Sequence, residues 1–368
     1  WGDWEKRRST IINTGEDYMG EKKIAEINTL QAELDELIAK VCKGIDDSKE
    51  KKKCLSRIEK LRRTLSKKRS GSRLSRDFKR DLVSYSFIAP NFIGFAVFTL
   101  VPIVFAFALA FLKWDGSNAI QFMGLNNFKR LGSDVFFKAA FKNTIIYCVG
   151  TVPLTMIASL ALAIILNQKV RGRAIFRTLS FFPYVGSLVA VTAVWKMLFH
   201  PSKGPINSIL YHVFNVPIDK LPQWFSGGLV LLSLILFSVW KYMGYYMVIY
   251  LAGLQGISGE LYEAGSLDGA NTWQKFKYIT WPQLRSTTFF VVVMLTINCF
   301  KVYDIAIMLA GGGSGELTTS STVLVYYIYQ KAFIDWDLGY SSAVAMVLFG
   351  IVLLVTIVQF AYQKKTAD

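Results

Sequence analysis

Glu263-Ala264-Gly265-Ser266-Leu267-Asp268-Gly269-Ala270, followed by Phe276, Ile279 and Pro282, is a polar, helix-capable stretch between two long apolar runs, 227–254 and 286–310. Ser258 is placed to cap a helix start, and Glu260 falls in the first turn, where the helix dipole favours negative charge. Leu261, Ala264 and Leu267 share one face, and the small pair Ala264 and Gly265 permits close approach of another surface. Gly269 can adopt backbone angles that hinder other residues, which suits a bend between two short helices. Asn271 or Thr272 can cap the second helix, which presents Trp273 and Phe276. Pro282 marks the return to the apolar run, since it lacks an N–H for the helix interior. The spacing predicts an elbow with an apolar face and an acidic edge of Glu260, Glu263 and Asp268. Helices lying on lipid headgroups favour Lys and Arg on their polar face, so docking into a partner's groove is the better expectation.

Outward from the elbow, the chain is dominated by apolar runs. A bilayer core of about 30 Å needs roughly 20 apolar residues per helix. Segments 83–112, 143–167, 178–199, 227–254, 286–310 and 339–363 meet that length. The expected fold is therefore all-α and integral to a membrane, with a six-span domain over 83–363 and the elbow in a loop over 255–285. The N-terminal residues are polar and charged, so no cleaved signal peptide is expected.

The net charge of +16 would suit nucleic acid, but its distribution fits membrane topology better. Lys and Arg accumulate in loops that stay in the cytoplasm. With six spans and both termini inside, the cytoplasmic segments near the spans carry 18 basic residues and the outside loops carry 8. Residues 1–82 hold 22 of the 42 Lys+Arg and 15 of the 26 Asp+Glu. Within them, Ile27, Leu30, Leu34, Leu37 and Val41 form one narrow stripe, and Cys54, Ile58, Leu61 and Leu65 a second. The Gly44–Ser48 break offers a turn, so 1–66 reads as a cytosolic extension holding a helical hairpin, or else two marginal helices. Residues 67–82 form a basic juxtamembrane linker that suits anionic lipid headgroups; membrane lipid, not nucleic acid, is the expected contact.

Four cysteines and two histidines give no metal-site or disulfide pattern. Cys42 and Cys54 lie in the extension, Cys148 and Cys299 inside spans, and His200 and His212 in one loop. Gly311-Gly312-Gly313-Ser314-Gly315 lacks the Gly-Lys-Ser/Thr needed to cradle phosphates, so no nucleotide or other cofactor is expected on this chain. Ionisable groups inside spans are costly and usually face a cavity or a partner. Lys241, Lys301 and Asp304 are such groups. Lys301 and Asp304, three apart, either neutralise each other on one helix face or line a polar path with Trp240, Tyr245, Tyr246 and Asn298. Aromatic faces beside donors and acceptors suit sugars, while two lysines would also suit a uronate or a phosphorylated polyol. A secondary transporter would need internal repeats with broken helices, and no convincing repeat is visible.

Several stretches resemble, in order, the carbohydrate-uptake permeases of ABC importers, relatives of the membrane subunits of the maltose transporter. They are Phe87-Ile88-Ala89-Pro90, Pro102, Trp114-Asp115, Gly124-Leu125-Asn126-Asn127-Phe128, Asn143-Thr144, Pro183, Trp195, Gly204, Asn207, Trp240 and Ala252-Gly253-Leu254-Gln255. After the elbow come the glycine run, Tyr327-Ile328-Tyr329 and Gly339-Tyr340-Ser341-Ser342-Ala343. The resemblance spans 78–363. It implies a six-helix type I importer core in the bacterial cytoplasmic membrane. The partners it implies are a second homologous permease, two ATPase subunits that hold ATP and Mg²⁺, and an extracellular solute-binding protein. It assigns ATPase coupling to Glu263, Ala264, Gly265, Asp268, Gly269, Ala270, Phe276 and Pro282, and places Lys241, Tyr246, Asn298 and Lys301 near sugar contacts. Gly265 stands where the family usually has Ala, and Trp281 where Leu commonly precedes Pro. The N-terminal hairpin is not a general family feature.

Overall fold

The computed structural model describes residues 25–41, 48–168, 171–310 and 319–367. The glycine run at 311–315 and Cys42 lie outside the described residues. The chain divides into two compact units, up to Val101 and from Pro102 onward.

In the first unit, α1 (25–41) is followed by α2 (Ser48–Phe95). Ile58 and Leu65 of the second stripe are buried, and Arg57 of α2 pairs with Glu33 of α1 at 3.1 Å. The second helix does not stop at 66: α2 runs through the basic segment 67–82 and into the apolar residues that begin a span at Val83. Lys, Arg, Leu and Ser all tolerate helix, and no glycine pair or proline interrupts before Pro90. A π-helical turn, Ala96–Leu100, follows, where the Val101 N–H reaches the Ala96 carbonyl. Widening one turn just before Pro102, which has no N–H to give, is a common way to accommodate such a residue.

The second unit continues with α3 (Val101–Leu109), a hairpin of β1 (Leu112–Lys113) and β2 (Gln121–Phe122), α4 (Asn126–Ser133) and α5 (Val135–Asn167). Then come α6 (Arg173–Val185), α7 (Leu188–Leu198), α8 (Pro205–His212) and α9 (Val230–Gln255). The elbow contains α10 (Gly259–Leu267), α11 (Thr272–Lys275), a π-helical turn and α12 (Trp281–Gln283). Last are α13 (Arg285–Phe300), α14 (Asp304–Ala310), α15 (Leu324–Tyr329) and α16 (Leu338–Ala367). Among the described residues four helices are long and apolar enough to cross a bilayer, and as many as six segments if each of two bent pairs crosses as one.

Two of the six expected spans are broken. The run 178–199 is α6 and α7, which meet at 98°, because Gly186 and Ser187 take extended backbone angles between them. The run 286–310 is α13, which ends at Phe300, and α14, which starts afresh at Asp304; the second bent pair is the elbow's second arm, Thr272–Gln283, with α13 at 67°.

Small residues let the helices approach closely, as membrane packing requires. A side chain at Gly150 of α5 would meet Ile235 Cδ1 at 2.6 Å, and one at Gly244 of α9 would strike the Ser180 carbonyl of α6 at 1.8 Å. The Tyr147 hydroxyl bonds Ser238 Oγ at 2.7 Å inside the α5–α9 contact. Cys148 and Cys299 are buried free thiols in this core. Asn143 donates to the carbonyls of Thr319 and Thr322, and Thr144 Oγ1 accepts from the Leu324 N–H at 2.9 Å. This pair thus holds the start of α15 against α5. His200 Nδ1 accepts the amides of Ser202 and Lys203, an ordinary loop role.

Candidate functional site

The elbow forms as two capped helices. The Ser258 side chain accepts the Glu260 N–H, and α10 ends in a complete Schellman arrangement: Gly269 N–H to Ser266 O at 3.2 Å and Ala270 N–H to Gly265 O at 2.9 Å. That ending needs a left-handed residue, and Gly269 supplies it with φ +73. Asn271 then opens α11 with a reciprocal capping box to Gln274. Tyr262 bonds Thr280 at 2.9 Å and Lys275 bonds Ser266 at 2.7 Å, tying the two arms together. Gly265 has a local reason. A methyl there would lie 2.9 Å from Ile279 Cδ1, so its absence makes the notch that receives Ile279.

The elbow is anchored at its root and open at its tip. Phe276 and Ile257 pack on the cluster containing Leu254 and Leu284. At the helix ends, a side chain on Gly253 would meet Thr287 Oγ1 at 2.7 Å. Leu267 is 90% exposed, and Trp273 and Tyr278 are exposed as well. Glu263, Ala264, Asp268, Gly269 and Pro282 face outward, and Ala270 is partly covered. Among the described residues Glu263 has no ion-pair partner.

The residues expected along a solute path separate into three groups. Trp240 packs against Trp195 and Phe237, at ring-centroid distances of 5.4 and 6.2 Å. Lys241 is buried, and its ammonium donates to the carbonyls of Pro183 at 3.2 Å and Tyr184 at 3.4 Å. It therefore closes the C-terminal end of α6, where carbonyls lack helical partners. The third group runs from the buried Tyr246 through the half-buried Tyr245 to the exposed Asn298. Tyr245 stacks on Tyr184 at 4.4 Å and meets Tyr246 edge-on at 5.0 Å. Asn298 donates to the Tyr246 hydroxyl at 3.1 Å.

Exposed Asn298, Lys301 and Asp304 follow one another into the break between α13 and α14. Lys301 is the last cap of one helix and Asp304 the first residue of the next. They do not share a helix face, and the described residues hold no ion pair between them. Tyr184 escaped the sequence reading. Its only signal was an aromatic residue directly after Pro183, and such residues in spans usually just pack.

The elbow lies at one end of the helix bundle. Phe289, near the start of α13, meets Phe360 of α16 at 5.1 Å, so α16 begins at the opposite end. There the Asp134 carboxylate caps α5 through the amides of Phe136 and Phe137, and it accepts the hydroxyls of Tyr327 and Tyr340. Burial works to raise its pKa, but these donors outweigh it and hold the carboxyl below its usual range. Arg130 lies over the Tyr340 ring and pairs with Asp337 at 2.6 Å.

Long apolar helices, a projecting elbow and a polar aromatic strip beside a helix break together describe an integral membrane protein of the multi-span class. The family described as binding-protein-dependent transport system inner membrane component matches residues 152–368, and this chain belongs to that family. It is a multi-pass inner-membrane permease subunit of an ABC importer, not an enzyme. A probable ABC transporter permease of Bacillus subtilis, YesP, is 38% identical over 78% of this chain and 92% of its own length. The arabinooligosaccharide permease AraP of the same species is 31% identical over 76% of this chain and 88% of its own. A crystal structure of a bacterial ABC transporter that imports the acidic polysaccharide alginate has the same fold, with a TM-score of 0.70. It covers 80% of this chain and 100% of the matched chain at 23% identity.

Proposed function

We propose that this permease carries a sugar or oligosaccharide inward, delivered by an extracellular binding protein. It works as one of two homologous permeases above two ATPase subunits that hold ATP and Mg²⁺. The observation that carries this reading is the elbow, whose roots are locked to α9 and α13 while Leu267, Trp273 and Glu263 face outward with no cover from the described chain. A rigid lever with an exposed apolar and acidic tip transmits force when a partner grips it. Glu263, Ala264, Gly265, Asp268, Gly269 and Ala270 form the gripped surface, and Phe276 and Pro282 pass its movement to α13. The distribution of Lys and Arg supports an elbow and both termini in the cytoplasm. Similarity to the arabinooligosaccharide permease AraP supports the solute class.

Tyr184, Tyr245, Asn298, Lys301 and Asp304 line one side of the solute path, with buried Tyr246 holding Asn298 from behind, and the second permease supplies the other. Residues 1–66 act as a separate cytosolic module, and 67–82 as its helical connection to the permease. The test is uptake and solute-stimulated ATP hydrolysis by the reconstituted complex carrying Glu263→Lys, with Lys220→Gln as the control. The expected result is loss of ATPase attachment, or hydrolysis without uptake, in the first variant alone. Parental behaviour of Glu263→Lys would overturn the assignment of the elbow.

A further inference from the structure

We propose that a cavity at the end of the bundle opposite the elbow is a binding subsite for a neutral oligosaccharide, an inference that rests on the sugar-import reading. The cavity has a volume of about 700 Å³, within the ~300–1,000 Å³ of typical small-molecule sites. It lies between the β1–β2 hairpin and the turn at 335–337, and both walls are built rigidly. Asn127 of α4 donates to the carbonyls of Ala110 and Leu112, each at 2.9 Å. The Leu338 N–H bonds the Trp114 carbonyl at 3.1 Å. A side chain on Gly339 would strike the Leu112 carbonyl at 2.0 Å, so only glycine lets α16 start against the hairpin. Trp114-Asp115, the Gly124–Phe128 stretch and the Gly339–Ala343 stretch, far apart in sequence, thus converge on one feature.

The lining selects the ligand. Trp114 and Trp336 supply two indole rings. Trp336 is 59% exposed and sits at φ +53, a conformation uncommon for a bulky residue and often found at functional positions. Asp115 is fixed by the amides of Ser117 and Asn118 and by the Asn118 side chain. The Asn118 and Ser117 amides hold its carboxyl at about 2, so it stays charged. Three carboxylates, Asp115, Asp335 and Asp337, stand with three cations: Arg130 pairs with Asp337 and Lys331 with Asp335, each at 2.6 Å, which leaves Asp115 and Lys113 on the lining. With these charges balanced, an anionic sugar gains no net attraction, and an apolar ligand would strand the charged groups. Among the described residues no group of His, Cys, Asp and Glu could hold a metal ion. Flat aromatic faces beside fixed acceptors and amides fit the apolar ring faces and hydroxyls of a neutral saccharide.

The test is saturation-transfer difference NMR on the full chain in lipid nanodiscs. The probes are maltotriose, arabinotriose, cellotriose and galactotriose, each compared with trigalacturonate. Trp336→Gly separates ring from fold, because glycine adopts the left-handed angle freely and the exposed ring leaves no buried hole. Trp114→Ala is the second variant. The expected result is transfer to the ring protons of at least one neutral trisaccharide. It should fall about five-fold or more in both variants, as loss of one stacked face predicts. No transfer to any neutral probe, undiminished transfer in both variants, or stronger transfer to trigalacturonate would each overturn the proposal. So would loss of binding-protein capture in the variants without a saccharide signal, which would make the surface a protein dock. Carbohydrate uptake by the assembled importer, measured alongside, separates failure of the subsite from failure of the transport reading.

Discussion

Replacing Gly269 by valine tests whether the shape of the elbow matters as its geometry implies. No atom lies within 4 Å of the position a Cβ would take, so there is no steric contribution and the cost is confined to the backbone. At φ +73 an L-residue is disfavoured by about 1–2 kcal/mol, and a branched Cβ sits at the upper end. Escaping that strain means giving up the bonds from the Gly269 and Ala270 amides to Ser266 and Gly265, each worth about 0.5–1.5 kcal/mol. The cheaper route sets the cost, so the bent elbow loses about 1–2 kcal/mol, a factor of about 5–30 in the ratio of bent to unbent forms. Gly269→Asn is the matched control, since asparagine tolerates the left-handed region. The assay is retention of the ATPase subunits on the purified permease, together with uptake per ATP hydrolysed. Valine should weaken attachment or coupling by that factor, and asparagine should stay close to the parent. If valine and asparagine both behave like the parent, the bend at Gly269 is not where force enters.

Lys241→Met keeps length and apolar bulk but leaves the carbonyls of Pro183 and Tyr184 without their donor. The expected loss is about 1–3 kcal/mol, read as a lower thermal midpoint of the solubilised protein, with ATPase attachment intact. Asp134 has a depressed pKa when folded. Its stabilisation is therefore present above the ordinary carboxylate value and disappears as pH falls through the lower folded value. Thermal midpoints measured from pH 7 to 3 should show a decline that Asp134→Asn reduces, and an identical decline in that variant would refute the assignment. Deleting residues 1–65 should leave uptake in vesicles largely unchanged at equal permease levels. Loss of uptake with assembly preserved would give the hairpin a regulatory role.

Helix positions were legible where the signal is local. Apolar runs marked the membrane segments, and the stripe through Ile58 and Leu65 marked the covered face of α2. Ser258, Gly269 and Asn271 announced the elbow, because caps and left-handed glycines act through neighbouring backbone groups alone. The breaks at Gly186-Ser187 and at 301–303 were not legible, since hydropathy measures burial in lipid and is blind to whether a helix bends within it. The family's position for Trp240 was equally silent about which way the ring points.

By itself the sequence determined that this chain is helical, embedded in a membrane and built around an elbow, because composition, hydrophobic length and short-range capping decide those properties within a few residues. Only the tertiary structure decided which polar groups meet. It turned Lys241 onto the carbonyls of α6, parted Lys301 from Asp304, and stacked Tyr184 on Tyr245. It also gathered Trp114, Asn127 and Trp336 around one cavity. Those outcomes depend on helix rotation and close approach at Gly150, Gly244 and Gly339, where a missing side chain sets the distance between segments that are remote in the chain.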